Sequence, residues 1–254
     1  MVSFNDDVTE VADDFCYDRL GQISTLPASI KKLSFTGKAL TTVGEDFFRR
    51  ALSLTSVDFR GLSKLQTIED YFFYEASALA SVDFRGLSKL QNIGECFFYQ
   101  AHSLTSVAFE GLGALTTVGD GFFHGARFLT SVDFRGLRVL TTVGDYFFYD
   151  ARSLTSLDLS GLIALQTVGD FFFSGACSLA AVDFRKLSAL QTVGDYFFYE
   201  ASALTNILCH NEDQVKLIQS TYTGSNRTCI SVAQRPAATD TAAVPASGNA
   251  STVG

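Results

Sequence analysis

One motif returns along this chain at a constant step. Asp58-Phe59, Asp83-Phe84, Ala108-Phe109, Asp133-Phe134, Asp158-Leu159 and Asp183-Phe184 each lie 25 residues apart. A fixed period of this size describes a stack of like supersecondary units, each touching only its neighbours. A fold built around one buried centre has no reason to repeat in this way. The 254 residues therefore form one quasi-one-dimensional array rather than one or two ordinary domains. Apolar residues make up 47% of the chain, enough to run a core along the whole stack.

Charge and end signals narrow the function classes. A formal charge of −8 argues against a nucleic-acid footprint, which needs a basic stripe. No apolar run approaches the roughly 18 residues of a membrane span. Met1 leads into Asn5, Asp6, Asp7 and Glu10, which is neither a basic n-region nor an apolar h-region. A native start at Met1 implies a cytoplasmic protein; a chain cut from a longer one leaves a cell-surface or secreted location open.

The coil Leu54 to Ala78 shows the physics of one unit. Apolar residues at Leu54, Val57, Phe59 and Leu62 follow an LxxLxLxxL pattern. Val57 and Phe59 share one face of a strand, so Asp58 and Arg60 share the other. Leu65-Gln66-Thr67-Ile68 is a second short extended piece, pointing Leu65 and Ile68 inward. Glu69-Asp70 then leads into Tyr71-Phe72-Phe73-Tyr74-Glu75-Ala76, which reads as one turn of helix with Phe73 and Ala76 facing the core together. In most coils the step is Gly-Asp, as at Gly144-Asp145. Glycine suits a sharp corner there, and the aspartate is expected to cap the helical turn.

Paired phenylalanines recur at 47/48, 72/73, 97/98, 122/123, 147/148, 172/173 and 197/198. They account for 14 of the 24 phenylalanines, so phenylalanine is structural spine and not a ligand-binding aromatic box. The expected fold is an α/β repeat of about seven coils, a solenoid with a parallel sheet and short helical turns.

The ends differ from the body. Residues 1–29 read as an N-terminal cap, a degenerate half-repeat in which Val11 to Asp18 aligns with Val143 to Asp150. Residues 30–208 are the solenoid and 209–232 a C-terminal cap. There Asn211-Glu212-Asp213-Gln214 opens a capped amphipathic helix, and Cys229-Ile230-Ser231-Val232 offers a closing strand. Residues 233–254 shift to Ala, Thr, Ser, Pro and Gly, the composition of a disordered tail or linker. The five cysteines show no CxxC spacing. Cys209 and Cys229 are candidates for a disulfide tying the cap, the alternative being two small buried apolar residues.

Catalysis needs non-repeating polar residues gathered in one pocket. Here every polar residue of the body belongs to a column of near-copies. His102, His124 and His210 fall at different template positions and form neither a triad nor a zinc set. No catalytic, cofactor or metal residues are expected. The column Glu45, Asp70, Glu95, Asp120, Asp145, Asp170, Asp195 has a calcium reading, but helix capping in every coil explains it, and the absence of a GGxGxD-type loop favours that. On the strand face, Asp58 and Asp133 with their neighbours Arg60 and Arg135 represent an Asp column beside an Arg column. Opposite signs there offset the repulsion of stacked like charges; the same face also suits a binding partner, and both readings stand. Variation gathers at the turn corner, where a largely aromatic column runs Tyr74, Tyr99, His124, Tyr149, Ser174, Tyr199, beside Arg127 and Arg152. Half-exposed tyrosines suit interfaces.

The coil Ser103-Leu104-Thr105-Ser106-Val107, continued by Leu115-Thr116-Thr117-Val118-Gly119-Asp120 and Phe123, resembles the BspA-like, or treponemal-type, leucine-rich repeats. The likeness spans roughly residues 8–209. It implies a right-handed leucine-rich-repeat solenoid with non-enzymatic binding roles, often in surface proteins and adhesins of bacteria and protists. The family tends to carry a small residue where Phe72 stands and a Cys near Ala76, and its coils are usually shorter. The expected function is a binding module for a protein or cell-surface partner, with no nucleic acid and no membrane span. A passive multivalent adhesive or structural array is the alternative. A remoter one is an ice-binding face on Thr55, Thr105, Thr130, Thr155 and Thr205, which Ala80 and Ala180 interrupt.

Overall fold

The computed structural model describes residues 2–3, 10–11, 30–36, 39–221 and 229–232. Two kinds of strand alternate along it. The first kind comprises Lys32–Thr36, Ser56–Asp58, Ser81–Asp83, Ser106–Ala108, Ser131–Asp133, Ser156–Leu157, Ala181–Asp183 and Asn206–Cys209. The second is a run of two-residue strands from Thr42–Val43 to Thr192–Val193. Every pairing is parallel and one coil apart, as with Val57 and Val82 or Thr117 and Thr142. The second ladder is continuous over eight strands, with Glu10–Val11 paired to Thr42–Val43 at its N-terminal edge. Val2–Ser3 pairs likewise with Phe35 and Thr36. The result is a parallel β-solenoid of about seven coils.

The expected helical turns are not formed, which corrects that part of the sequence reading. The Tyr-Phe-Phe-Tyr segments are runs of hydrogen-bonded turns, with left-handed residues at both ends of each. Tyr71 has φ of 59° and Glu75 of 54°, and their counterparts Tyr146 and Asp150 have 56° and 58°. This conformation is costly for side-chain-bearing residues, and bonds between coils hold it. The N–H groups of Tyr71, Phe73 and Glu75 donate to the carbonyls of Glu95, Phe97 and Tyr99 at 2.8, 3.0 and 2.8 Å. The segment thus makes a third wall, bonded coil to coil like the two strand ladders. Among the described residues the one α-helix, α1, is Glu212–Gln219.

Because the wall is not extended, adjacent side chains need not alternate in and out. Both Phe72 and Phe73 are fully buried, and their equivalents up the stack are buried too. Each ring lies nearly parallel to its copy one coil away, Phe72 to Phe97 at 5.5 Å and Phe73 to Phe98 at 5.6 Å. Within a coil the two meet edge to face at 4.7 Å. The bulk of the paired phenylalanines therefore fills the space between coils.

The acidic column also acts across coils. Asp120 Oδ1 accepts the backbone N–H of Asp145 at 2.8 Å, and Asp145 Oδ1 accepts that of Asp170 at 2.7 Å. These carboxylates cap the next coil, not a helical turn of their own. Glycine precedes the acid because the preceding coil's carboxylate and backbone occupy the place of its Cβ, as Asp145 does at Gly169.

At the C-terminal end α1 packs on the last coil through Val215 and Ile218. Asn211 is its N-cap, accepting the Gln214 N–H at 2.9 Å. The buried Gln214 amide donates to the carbonyls of Phe184 and Leu187 at 3.2 and 3.1 Å. Beyond it Cys229–Val232 pairs parallel with Asn206–Cys209. That register overturns the proposed disulfide: Cys229 lies opposite Asn206, while Cys209 lies opposite Val232 and is a free, buried thiol. An offset of three residues is about 10 Å along a strand, beyond the reach of an S–S bond. The expected tail over 233–254 and most of the N-terminal cap lie outside the described residues.

Candidate functional site

The turn wall carries two columns of surface aromatic residues. Tyr74, Tyr99, His124 and Tyr149, one per coil, form a continuous stack with ring centroids 4.5, 4.6 and 4.6 Å apart. All four are half-buried. The 25-residue period places them in one column, and the inter-coil bonds of the wall bring their rings to stacking distance. Burial pushes the Tyr74 hydroxyl up and the His124 imidazole down, so the histidine favours its neutral form. Ser174 ends the stack, and Tyr199, expected in the same column, stands apart and exposed.

A second ladder was not singled out from sequence. Tyr146, Phe171 and Tyr196 stack at 5.0 and 4.8 Å on the left-handed residues that open each turn. The signal was present, since Tyr71, Cys96, Gly121, Tyr146, Phe171 and Tyr196 are also 25 apart. The two ladders join where Tyr146 meets Tyr149 edge to face at 5.7 Å.

Cations of the chain itself occupy parts of this wall. The Arg49 guanidinium lies 4.6 Å from the Tyr74 ring centroid and 5.7 Å from that of Tyr71, and pairs with Asp46 at 3.1 Å. Arg50 pairs with Glu75 at 3.3 Å. Arg127 reaches Asp150 across one coil at 2.8 Å, and Arg152 bonds the other oxygen of the same carboxylate. The two arginines expected to meet a partner therefore share an internal carboxylate.

On the strand face the shortest ion pairs lie within coils, while Arg60 also reaches Asp83 of the next coil at 3.7 Å. Asp58 accepts the backbone N–H of Arg60 at 2.9 Å and the Arg60 guanidinium as well. Asp83–Arg85, Asp133–Arg135 and Asp183–Arg185 repeat the arrangement. In each, the arginine two residues on holds the aspartate below its usual pKa. Ala108 and Glu110 break the series and leave a shallow depression bounded by Gly111, Asp133, Arg135 and Gly136.

The family described as BspA type leucine rich repeat region matches residues 26–137 and 116–233, in six copies. No curated protein matches. A leucine-rich repeat protein of T. pallidum of known structure is 18% identical, with a TM-score of 0.49 over 87% of this chain and 81% of that one. One from Bacteroides ovatus is also 18% identical, with a TM-score of 0.44 over 90% of this chain and 76% of its own. On its repeats and the family match that spans most of its length, the chain belongs to the BspA-type leucine-rich repeat family.

Proposed function

We propose that this chain is a non-enzymatic binding module that engages a protein or cell-surface partner through its turn wall. Leucine-rich repeats of this kind generally serve protein interaction or surface roles. The observation that carries the reading is the four-ring stack from Tyr74 to Tyr149, half-exposed and edged by charged residues that differ from coil to coil. Rings held in place by stacking lose little freedom when a partner covers them, which favours association. In this reading residues 30–208 carry the partner-facing coils and 209–232 close them.

One observation favours a second reading, a passive multivalent array. The Asp–Arg pairs of the strand face are near-identical in four coils, and identical sites in a row suit a repetitive partner through avidity. Ice binding is less well supported. Thr55, Thr130 and Thr205 donate their hydroxyl protons to carbonyls of the preceding coil at 2.8, 3.0 and 3.2 Å.

Capture of partners on immobilised protein separates the readings. Specific recognition predicts one dominant partner, lost in a Tyr149→Ser/Arg152→Ser variant and retained when Asp133–Arg135 is replaced. Loss only after several strand pairs are removed would instead establish avidity.

A further inference from the structure

The sequence Tyr-Phe-Phe-Tyr followed by an acid occurs three times, at Tyr71–Glu75, Tyr146–Asp150 and Tyr196–Glu200. In each copy the two tyrosines meet edge to face, at 5.8, 5.7 and 6.1 Å. The copies are thus close to superposable. They differ in what the preceding coil places over them.

Over the first copy lie Arg49, against both tyrosine rings, and Arg50, paired with the Glu75 carboxylate. Over the second lies His124, 4.6 Å from Tyr149 and 6.0 Å from Tyr146, while Arg127 and Arg152 hold Asp150. In both, a nitrogen-bearing planar group covers the second tyrosine and an arginine neutralises the acid. Over the third copy the places of Arg49 and Arg50 are taken by Ser174 and Gly175, and those of Arg127 and Arg152 by Cys177 and Ser202. Phe171 covers Tyr196, but among the described residues no ring or guanidinium of the preceding coil stands over Tyr199. Tyr196 and Tyr199 are 41% and 47% exposed, Asp195 and Glu200 are exposed, and no salt bridge reaches Glu200 among the described residues.

We infer that the Tyr196–Glu200 copy is an unfilled arginine site, which takes from a partner protein the adjacent pair of arginines that Arg49 and Arg50 supply to the first copy. One guanidinium lies on the Tyr199 face and the other pairs with Glu200. Asp195 and the overall charge of −8 draw a basic segment towards this end of the wall. The inference rests on the binding-module reading and names its partner chemistry. Cation–π contact and a surface ion pair each contribute modestly. A single pair of arginines therefore binds weakly, and a full partner adds contacts along the wall.

The test is an NMR titration of the whole chain, followed on ring-labelled tyrosines at low salt, with the capped peptide Gly-Ser-Arg-Arg-Ser-Gly. The expected result is a saturable shift of the Tyr196 and Tyr199 signals, absent with the peptide in which citrulline replaces both arginines. Tyr199→Ser and Glu200→Gln, both at exposed positions, each weaken binding about three- to fivefold. A Gly175→Arg variant, which sets a guanidinium beside Glu200 from within as Arg50 does beside Glu75, weakens the shift. Its Arg at 175 takes the left-handed conformation that Arg50 already adopts, with φ of 52° against 72° for Gly175. Equal binding of the citrulline peptide, or unchanged affinity in Tyr199→Ser and Glu200→Gln, overturns the inference. Partner capture that depends on Tyr149 but not on Tyr199 and Glu200 does so as well, while leaving the binding module intact.

Discussion

Phe147 tests the packing argument at its strongest point. Its ring is buried in the middle of the stack, 5.4 Å from Phe122, 5.4 Å from Phe123, 4.7 Å from Phe148 and 5.2 Å from Phe172. Two of these neighbours belong to the coil before and one to the coil after. The Phe147→Ala substitution therefore weakens two inter-coil interfaces at once, where a repeat protein keeps its stability. Removing the ring opens ~100 Å³, which at ~24 cal/mol per Å³ costs about 2.4 kcal/mol. The lost burial adds about 1.5–3 kcal/mol, so the expected loss is about 4–5 kcal/mol. Phe128 is the internal control, a phenylalanine 57% exposed on the surface. Its replacement by Ala should cost no more than about 0.5 kcal/mol. Urea unfolding, followed by both circular dichroism and tyrosine fluorescence, measures the two side by side. A loss below about 1.5 kcal/mol for Phe147→Ala, or equal losses at the two positions, would refute the reasoning.

Three further outcomes follow from the same geometry. Gly169→Ala places a methyl group against the Asp145 backbone and carboxylate and should destabilise by about 1–3 kcal/mol in the same urea assay, whereas Gly113→Ala, which meets open space, should cost far less. Burial pushes the Cys209 thiol up to about 11. The unfolded chain releases this proton near pH 9 and the folded chain does not, so the contribution is complete below pH 9 and is lost as pH rises towards 11; Cys209→Ala should flatten that decline in a pH series of urea midpoints. Asp58, Asp83, Asp133 and Asp183 are held below their usual range by Arg60, Arg85, Arg135 and Arg185. Their stabilisation is present above the unfolded value near 3.8 and is lost as pH falls through the lower folded value, an acid-side decline that a fourfold Asp→Asn variant should reduce.

How far the sequence could be read depended on whether a feature was periodic or conformational. The columns were legible because a 25-residue step aligns Val57 with Val82 whatever path the chain takes between them. The turn wall was not. A spacing of three between Phe73 and Ala76 fits a helical turn, and it equally fits the observed turn, whose Ala76 N–H donates to the Phe73 carbonyl at 3.0 Å. Only the left-handed residues distinguish the two, and tyrosine or glutamate at those positions advertises nothing, because bonds from the next coil impose the conformation. The aspartate column was assigned to capping, but its target lies 25 residues away, where local rules do not look. The disulfide failed because a closing strand can pair in several registers, and three residues separate the one formed from the one a bond requires. For the candidate site, the Tyr74–Tyr149 column was visible as a column, while the role of Arg49 and the parallel Tyr146–Tyr196 ladder emerged only from ring positions.

The Gln214 amide has a consequence for how such a chain changes length. It recognises two backbone carbonyls of the coil on which α1 sits, at Phe184 and Leu187, and no side chain peculiar to that coil. Each coil from Phe59 onward offers an apolar residue and a leucine three positions on at the same places, as at Phe134 and Leu137 or Leu159 and Leu162. Duplicating or deleting a whole 25-residue unit upstream would leave the terminus an equivalent surface to dock on. Gene-level expansion and contraction can therefore adjust the reach of the molecule in steps of one strand spacing, about 4.8 Å, with its terminator unchanged.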